Sequence, residues 1–251
     1  MAEKPLVYLI LGAAGSGRRE VLVDLIDGAL EPGDRAAVLL AASEAPSEFD
    51  AKLPGLARWN WTGETIEAIR PADATHVFLI AEGRSNPVDQ LEVAKPWIEA
   101  QGAELGRVLC VVNCQLVERH PPVRAWFDAC VHFTDVVLLN RREGVPNKWL
   151  SDFQAHFKAQ FMPCLFEFVK AGCVKNPALV LEPQARRMSH AFDEEMDWVF
   201  TNAEGDEIEE DEETEGDEEV EAAPEEDPFF ARLNGGRRVK EIPDIAKYLD
   251  A

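Results

Sequence analysis

Six short apolar runs punctuate the first two thirds of the chain. Most of them are apolar throughout instead of alternating with polar residues, which is typical of strands buried on both faces of a parallel sheet. We therefore predict six strands at the positions of these runs. They cover residues 6–11, 36–42, 76–81, 107–112, 135–139 and 164–169.

The segments between these runs have apolar residues at helical spacing. After Gly17, one apolar stripe predicts the first helix, and three later segments, 88–101, 122–131 and 147–160, have the same character. Alternating strands and helices predict an α/β fold, a doubly wound and mostly parallel sheet with helices on both faces and right-handed crossovers. The stripe of the first helix consists of Val21, Leu22, Leu25, Ile26 and Leu30.

The alternation fades after about residue 170, which divides the chain into four parts. We assign an α/β domain to 1–170, a terminal helical segment to 171–203, an acidic linker to 204–227 and a short segment to 228–251. The linker holds sixteen Asp or Glu and no Lys or Arg. Such a run repels itself and offers little to bury, so we expect it to be disordered. The last segment either docks on the domain or binds a client protein.

The charge and the cysteines exclude some classes of protein. The net charge is -22, and without the acidic run it is -22 + 16 = -6. The sequence has no cluster of Lys and Arg to offset this negative charge, so we expect no nucleic-acid binding. No apolar run approaches the roughly 18 residues of a membrane span, and "MAEKP" does not begin a signal peptide. Five cysteines without a C-x-x-C pair indicate reduced thiols, so we expect a cytoplasmic protein without a membrane partner.

A glycine-rich turn follows the first predicted strand, in "LILGAAGSGRREVL". The spacing Gly12-x-x-x-x-Gly17 is that of a phosphate loop, whose N–H groups and helix N-terminus bind anions. Such a loop continues with Lys and then Ser or Thr, but here Arg18 keeps the charge in a forked shape and Arg19 has no hydroxyl for Mg²⁺. The predicted phosphate-binding residues are Gly12, Ala13, Ala14, Gly15, Ser16, Gly17, Arg18 and Arg19.

Two other interpretations of this loop stay open. It is a turn that binds nothing, or it belongs to a Rossmann-type fold that binds NAD(P). In the second case Gly12, Gly15 and Gly17 would give the G-x-x-G-x-G spacing, and Glu44 would bind the ribose. Glu44 lies 27 residues past Gly17, whereas the usual separation is about 20 residues.

A second candidate site follows the fifth predicted strand, in "DVVLLNRREGV". Many GTPases end such a strand in Asn-Lys-x-Asp, where Asn steadies the loop, the Lys stem covers the base and Asp accepts from guanine. Here Asn140, Arg141 and Glu143 are predicted to bind guanine, with Arg142 between them. Asp135, at the start of the stretch, is expected to be a surface or capping residue.

These stretches, with "VFLIAEGRSNPVDQLEVAKPWI" between them, resemble the CobW/HypB/UreG-type P-loop GTPases, CobW most closely. The resemblance covers about residues 5–170. It implies a P-loop fold, GTP as the bound nucleotide, Mg²⁺ beside its phosphates and a role in metal-centre assembly.

The chain departs from this family at the positions where the family binds metal ions and catalyses hydrolysis. Ile80 stands at the acidic position, which leaves Glu82 as the candidate metal ligand, and the Cys-x-Cys-Cys motif is missing. Phosphoryl transfer depends on positioning and on Mg²⁺, so we expect weak or absent GTP hydrolysis and do not expect Mg²⁺. The main alternative is a pseudo-GTPase interaction module that does not turn over nucleotide.

Overall fold

A computed structural model of the chain describes residues 4–193 and 227–249. Its centre is an eight-stranded sheet with the strand order β4-β3-β2-β5-β1-β6-β7-β8. Neighbouring strands pair in parallel except for β3 and β4, which are antiparallel. The strands are β1 (Leu6–Leu11), β2 (Ala36–Ala41), β3 (Ala57–Trp61), β4 (Ile66–Glu67), β5 (His76–Ile80), β6 (Glu104–Asn113), β7 (Val136–Asn140) and β8 (Leu165–Phe168).

The six predicted strands and the doubly wound α/β fold are confirmed, and the helices follow the predicted periodicity closely. The two strands that the pattern did not predict, β3 and β4, lie at the edge of the sheet, where β3 is mostly exposed and β4 has two residues. The helices are α1 (Arg18–Ala29), α2 (Pro87–Ala100), α3 (Cys114–Arg119), α4 (Arg124–His132), α5 (Asn147–Ala159), α6 (Pro177–Leu181) and α7 (Ala246–Leu249).

Each face of the sheet carries its own apolar core. Alternate residues of a strand point to opposite faces, so Val7 and Leu9 join one core while Tyr8 and Ile10 join the other. Residues of α2, α3, α4 and α5 contribute to the first core, and residues of α1 and α6 to the second. The helices therefore cover both faces and leave the carboxyl ends of the parallel strands at one edge.

The terminal helical segment that we assigned to 171–203 is described only as far as residue 193. Helix α6 ends at Leu181, and residues 182–193 form neither helix nor strand. The remainder of the expected helix, and all of the acidic run except Asp227, lie outside the described residues. Among the described residues, no helix is both long enough and apolar enough to cross a membrane.

Two buried polar side chains hold this segment where the parallel strands begin. We call this side of the sheet the amino edge, and the side where the strands end the carboxyl edge. Asp135, expected to be a surface or capping residue, is fully buried and accepts the N–H groups of Val108 at 2.7 Å and Arg186 at 2.5 Å. Arg107, also fully buried, donates to the carbonyls of Leu179 at 2.6 Å and Gln184 at 3.0 Å. Side chains of the sheet therefore satisfy a segment that has no regular backbone pairing.

Candidate functional site

The glycine-rich loop connects β1 to α1 at the carboxyl edge of the sheet, where ligands bind in open α/β folds. Two of its glycines are required by geometry. Gly12 has φ 135°, and a Cβ there would lie 2.5 Å from the carbonyl oxygen of Val111. Gly17 has φ 86°, and a Cβ there would lie 2.5 Å from Nδ2 of Asn140. The loop is therefore held closely against the ends of β6 and β7.

Two N–H groups of the loop are already satisfied by the protein. The N–H of Ala14 donates to the carbonyl of Gly83 at 2.9 Å, and the N–H of Ser16 donates to the carbonyl of Ala13 at 3.1 Å. The Ser16 hydroxyl is buried and has no hydrogen-bond partner among the described residues. The loop therefore retains fewer free donors for an anion than its glycine spacing predicts.

Arg18 turns into the protein and forms a buried ion pair with Glu44. One Nη donates to the carbonyl of Ala81, and the other lies 2.5 Å from Oε1 of Glu44. The Arg18 and Glu44 side chains are 4% and 8% exposed, so water screens their attraction little. Oε1 also accepts the N–H of Gly83 at 3.0 Å. The cation expected to hold phosphate is thus neutralised by a carboxylate of this chain.

The pKa of Glu44 shows that this carboxylate stays ionised. Burial by itself raises the pKa of a carboxyl group. The Arg18 guanidinium and the Gly83 N–H outweigh burial and hold the pKa of Glu44 below its ordinary value. The Glu44 carboxylate, which would bind ribose in the Rossmann alternative, is bound here by Arg18 and the Gly83 N–H.

Arg19 is also paired with an acidic residue. Its Nη1 lies 2.7 Å from Oδ1 of Asp50 and donates to the carbonyl of Ala45 at 2.8 Å. Asp50 lies beyond β2, in the same connection that carries Glu44, and it is also 3.3 Å from the Arg58 guanidinium. The connection between β2 and β3 thus supplies one carboxylate to each arginine of the loop.

The predicted phosphate loop and Arg141 of the predicted guanine site line one small cavity. Its volume is about 140 Å³, whereas pockets that hold a drug-sized ligand measure about 300–1,000 Å³. The charged side chains that line it are Arg18, Arg19, Arg141, Glu20 and Glu44. With Asp50 paired to Arg19, three acidic groups balance three cations.

At the predicted guanine site, Asn140 occupies the place that the pattern assigned to it. It is 5% exposed, and its Nδ2 donates to the carbonyl of Ser16 at 2.8 Å, which ties the end of β7 to the loop. Arg141 has φ 51° and pairs with Glu20 at 3.1 Å, at the edge of the cavity. Glu143 is exposed and does not line the cavity.

The position of Arg142 explains why the charge cluster does not converge on one ligand. Its guanidinium donates to the carbonyl of Val169 at 2.9 Å and lies 4.7 Å from the centre of the Phe168 ring. Arg142 therefore packs on β8 and away from the loop. Of the predicted guanine-binding residues, only Asn140 and Arg141 reach the phosphate loop.

The residues present do not fit Mg²⁺. Ile80 is fully buried at the end of β5, and Glu82 accepts the Ser85 hydroxyl at 2.5 Å. Within residues 4–193 and 227–249, no three His, Cys, Asp or Glu side chains converge as metal ligands. Arg19 offers guanidinium donors where an oxygen ligand would be needed.

Sequence reasoning missed Glu44 as the partner of Arg18. Glu44 lies 26 positions along the chain and beyond a complete strand, so no local pattern joins the two residues. The signal available was the pair of arginines in a buried loop, since buried charges require partners.

No protein-family model and no curated protein matches the sequence. The solved structures that are similar to the chain include two of the zinc-bound YjiA GTPase. The triple mutant has 12% identity and a TM-score of 0.41, covering 77% of this chain and 69% of that chain. The protein from E. coli has 13% identity and a TM-score of 0.39, covering 74% and 67%. Similarity at TM-scores this low carries no argument, so the fold is identified from the strand order and the glycine-rich loop alone.

Proposed function

We propose that the chain is a pseudo-GTPase, a P-loop domain that does not turn over nucleotide and acts as an interaction module. The observation that carries this proposal is the buried ion pair between Arg18 and Glu44. The pair brings a carboxylate of the chain to the loop where nucleotide phosphates would place their negative charge. In this proposal the domain keeps the fold of a GTPase, while its own Glu44 carboxylate occupies the place where an anion would bind.

Electrostatics opposes the entry of a triphosphate. The phosphates would approach the Glu44 carboxylate, which is 8% exposed, and repulsion between like charges is strong where water is excluded. Freeing Arg18 requires that Glu44 be left without its partner, and an unpaired buried charge costs about 3–5 kcal/mol. Binding would have to supply this energy before any phosphate contact added to affinity.

Hydrolysis also lacks its ordinary groups. Transfer of a phosphoryl group relies on positioning and on a metal ion that neutralises developing charge. Arg19 has no oxygen atom to offer a metal ion and is paired with Asp50, which leaves Glu82, bound to the Ser85 hydroxyl, as the single candidate ligand that the sequence suggested. The link to metal-centre assembly rests on the CobW resemblance alone, and the missing cysteine motif weakens it.

A second candidate function is guanine-nucleotide binding without turnover. It is supported by the hydrogen bond from Asn140 to the Ser16 carbonyl, since this bond joins the end of β7 to the glycine-rich loop. In this case Arg18 would exchange Glu44 for phosphate, and Arg19 and Arg141 would supply the charge that Mg²⁺ supplies elsewhere. GTP would be bound in the absence of metal.

Thermal unfolding with added ligands separates these functions. The wild-type chain is heated with GTP, GDP, ATP, NAD or NADP, with Mg²⁺ or with EDTA, and phosphate release from GTP is measured in parallel. We expect no stabilisation and no phosphate release. A ligand at 100 times its Kd would stabilise by about 2.7 kcal/mol, so stabilisation by GTP in EDTA supports the second candidate. Catalytic phosphate release contradicts both, and stabilisation by NAD restores the Rossmann alternative.

The matched variants are Glu44→Gln and Glu20→Gln. Both residues line the cavity, but Glu44 pairs with Arg18 whereas Glu20 pairs with Arg141. If the ion pair closes the loop, Glu44→Gln gains stabilisation by inorganic pyrophosphate and Glu20→Gln does not. Equal behaviour of the two variants would mean that the cavity's total charge, rather than this pair, excludes anions.

A further inference from the structure

Strand β8 is the last strand of the sheet, and no other strand of the described residues pairs with its outer side. Leu165 and Val169 donate their N–H groups, at 2.9 and 3.0 Å, to carbonyls on the β7 side. Because neighbouring residues of a strand direct their main-chain groups to opposite sides, the N–H and C=O groups of Phe166 and Phe168 point outwards. We call this side of β8 the open side. It offers main-chain hydrogen bonds to an added strand.

Strand β8 lacks the usual protection of a terminal strand. At the other end of the strand order, β4 has two residues, and so short a strand offers little for another chain to pair with. Strand β8 has four residues and contains neither Pro nor Lys, the residue types that commonly block pairing at such positions. The open side is therefore suited to pairing.

The described segments that follow β8 pack on other elements of the fold. Helix α6 joins the core beside α1, on the opposite face of the sheet. Residues 227–249 dock on α2 and α4. There Arg238 lies 2.6 Å from Asp89, and Asp227 accepts the Ser189 hydroxyl at 2.5 Å.

A groove of about 470 Å³ lies between the end of β8 and helix α5. This volume falls within the range of about 300–1,000 Å³ that is typical of ligand pockets. Phe168, which is 44% exposed, lines the groove with Arg142 and Lys158, and the other lining residues are neutral residues of α5. In the turn before β8, Phe161 is 86% exposed. An exposed aromatic ring therefore stands before β8 and another at its end.

The two cations of the groove are not neutralised as those of the loop cavity are. Within residues 4–193 and 227–249, no carboxylate lies within 4.0 Å of the charged nitrogens of Arg142 or Lys158. The three arginines of the loop cavity, by contrast, are each paired with a carboxylate. The net charge of the chain is -22, but the Debye length is about 8 Å at physiological ionic strength, so nearby charges dominate. The groove therefore favours an acidic side chain.

We propose that the open side of β8 and this groove bind an extended segment of a partner protein. The main chain of the segment would pair with Phe166 and Phe168, and one face of it would carry an acidic and an apolar residue two positions apart. Residues i and i+2 of a strand lie on the same face, so the carboxylate meets Arg142 or Lys158 while the apolar side chain packs on Phe168. Main-chain bonds supply affinity in this mode, and alternate side chains supply specificity.

The proposal gives the interaction module a surface, but it does not depend on the closed glycine-rich loop. The groove and the loop cavity share no lining residue. Nucleotide binding to the loop would therefore contradict the proposed function and leave this surface untouched.

Selection from a library of random dodecapeptides, with the full-length wild-type chain as bait, tests the proposal. We expect the enriched peptides to carry Asp or Glu two positions from an aromatic or aliphatic residue and to be poor in Lys and Arg. A selection that enriches no sequence, or that enriches basic sequences, overturns the proposal.

The matched variants are Lys158→Glu and Lys148→Glu. Both lysines are exposed residues of α5, but only Lys158 lines the groove. Lys158→Glu should weaken an enriched peptide about tenfold, because a bond to a charged group contributes on that order. Lys148→Glu should change its affinity at most about twofold, since salt screens exposed charges. Equal losses would show that overall charge attracts the peptide, which contradicts binding in the groove.

Hydrogen exchange measured by NMR locates the bound peptide. Binding should slow exchange of the Phe166 and Phe168 N–H groups, and should affect the Glu167 N–H less because that group already faces β7. Unchanged exchange at Phe166 and Phe168 overturns strand addition. Slow exchange before peptide is added would mean that this chain itself occupies the open side. Sedimentation of the free wild type at twice the mass of one chain, reversed by Lys158→Glu, would assign the surface to a second copy. Either result contradicts the proposal.

Discussion

The two edges of the sheet each contain a buried arginine and a buried carboxylate, used in different ways. At the amino edge, Arg107 donates to backbone carbonyls and Asp135 accepts backbone N–H groups. At the carboxyl edge, Arg18 and Glu44 bind each other. At the amino edge the two side chains form hydrogen bonds with the main chain of a neighbouring segment. At the carboxyl edge they form an ion pair with each other beside a cavity.

The difference extends to the pKa of the two carboxylates. Burial raises the pKa of Asp135 above its ordinary value, because the backbone N–H groups and the more distant Arg187 do not outweigh it. Burial acts on Glu44 as well, but the adjacent guanidinium holds the pKa of Glu44 low. The polar side chains of the amino edge therefore support the structure, whereas those of the carboxyl edge form an ion pair that a ligand could separate.

The largest effect is expected from Arg107→Met at the amino edge. The substitution removes three hydrogen bonds to the backbone carbonyls of Leu179, Val180 and Gln184. Each buried carbonyl left without a donor costs about 1–3 kcal/mol, so we expect a loss of about 5 kcal/mol. Urea unfolding followed by circular dichroism measures it. Adding Asp135→Asn should give no recovery, because the orphaned carbonyls remain. Recovery in the double variant would show that Arg107 acts chiefly through its charge on Asp135, which contradicts its role as a donor to carbonyls.

Arg18→Met should destabilise by about 3 kcal/mol, since it leaves the Glu44 carboxylate buried without its cation. Here the partner can be neutralised, so adding Glu44→Gln should recover about 1–2 kcal/mol. A double-mutant cycle in urea gives this coupling energy directly. A coupling near zero would mean that Glu44 is already solvated, which contradicts the closed loop.

Two glycines of the loop sharpen the description of the carboxyl edge. Gly15 has φ 78° and open space where a methyl group would lie, so Gly15→Ala should cost about 1 kcal/mol from backbone strain. At Gly17 a methyl group would also meet Asn140, and we expect about 2 kcal/mol because strain and contact add. Thermal unfolding compares the two. Equal losses would show that the tie between Asn140 and the loop contributes nothing.

The smallest expected effect is on the pH dependence of stability, to which Glu44 and Asp135 should contribute with opposite slopes. The folded pKa of Glu44 is lowered, so its contribution is present above the ordinary value of 4.5 and is lost as pH falls through the folded pKa. The folded pKa of Asp135 is raised, so its contribution is present below the ordinary value of 3.8 and is lost as pH rises through the folded pKa.

Melting temperatures between pH 3 and pH 6 would reveal these slopes. The difference between the wild type and Glu44→Gln should shrink as the pH falls, and that between the wild type and Asp135→Asn should grow. Parallel slopes would contradict the distinction between the two edges. The range of about pH 3 to 6 brackets the ordinary pKa values of both carboxyl groups.

The sequence predicts the fold well where burial is continuous. The apolar runs of the central strands identify them because both faces are covered, whereas β3 is mostly exposed and leaves no such run. Within the helical segment assigned to 171–203, the described residues form one short helix, Pro177–Leu181, and Arg107 and Asp135 bind backbone groups in it and after it. Tertiary contacts of this kind have no periodic signature.

The candidate site divides in the same way. The place of Asn140 beside the loop follows from the meeting of parallel strand ends, and the structure shows it bonded to Ser16. The direction of Arg18 could not be predicted, because it depends on a carboxylate beyond the next strand. Residue type gave the charge of the loop, but only the fold determines whether that charge faces a ligand or the protein.

The hydrogen bond between Ser189 and Asp227 has a consequence for the evolution of chain length. Because these two residues already touch, the fold sets no minimum distance that residues 194–226 must span. Insertions and deletions there would leave the geometry of the domain unchanged. A much shorter linker should therefore suffice for folding.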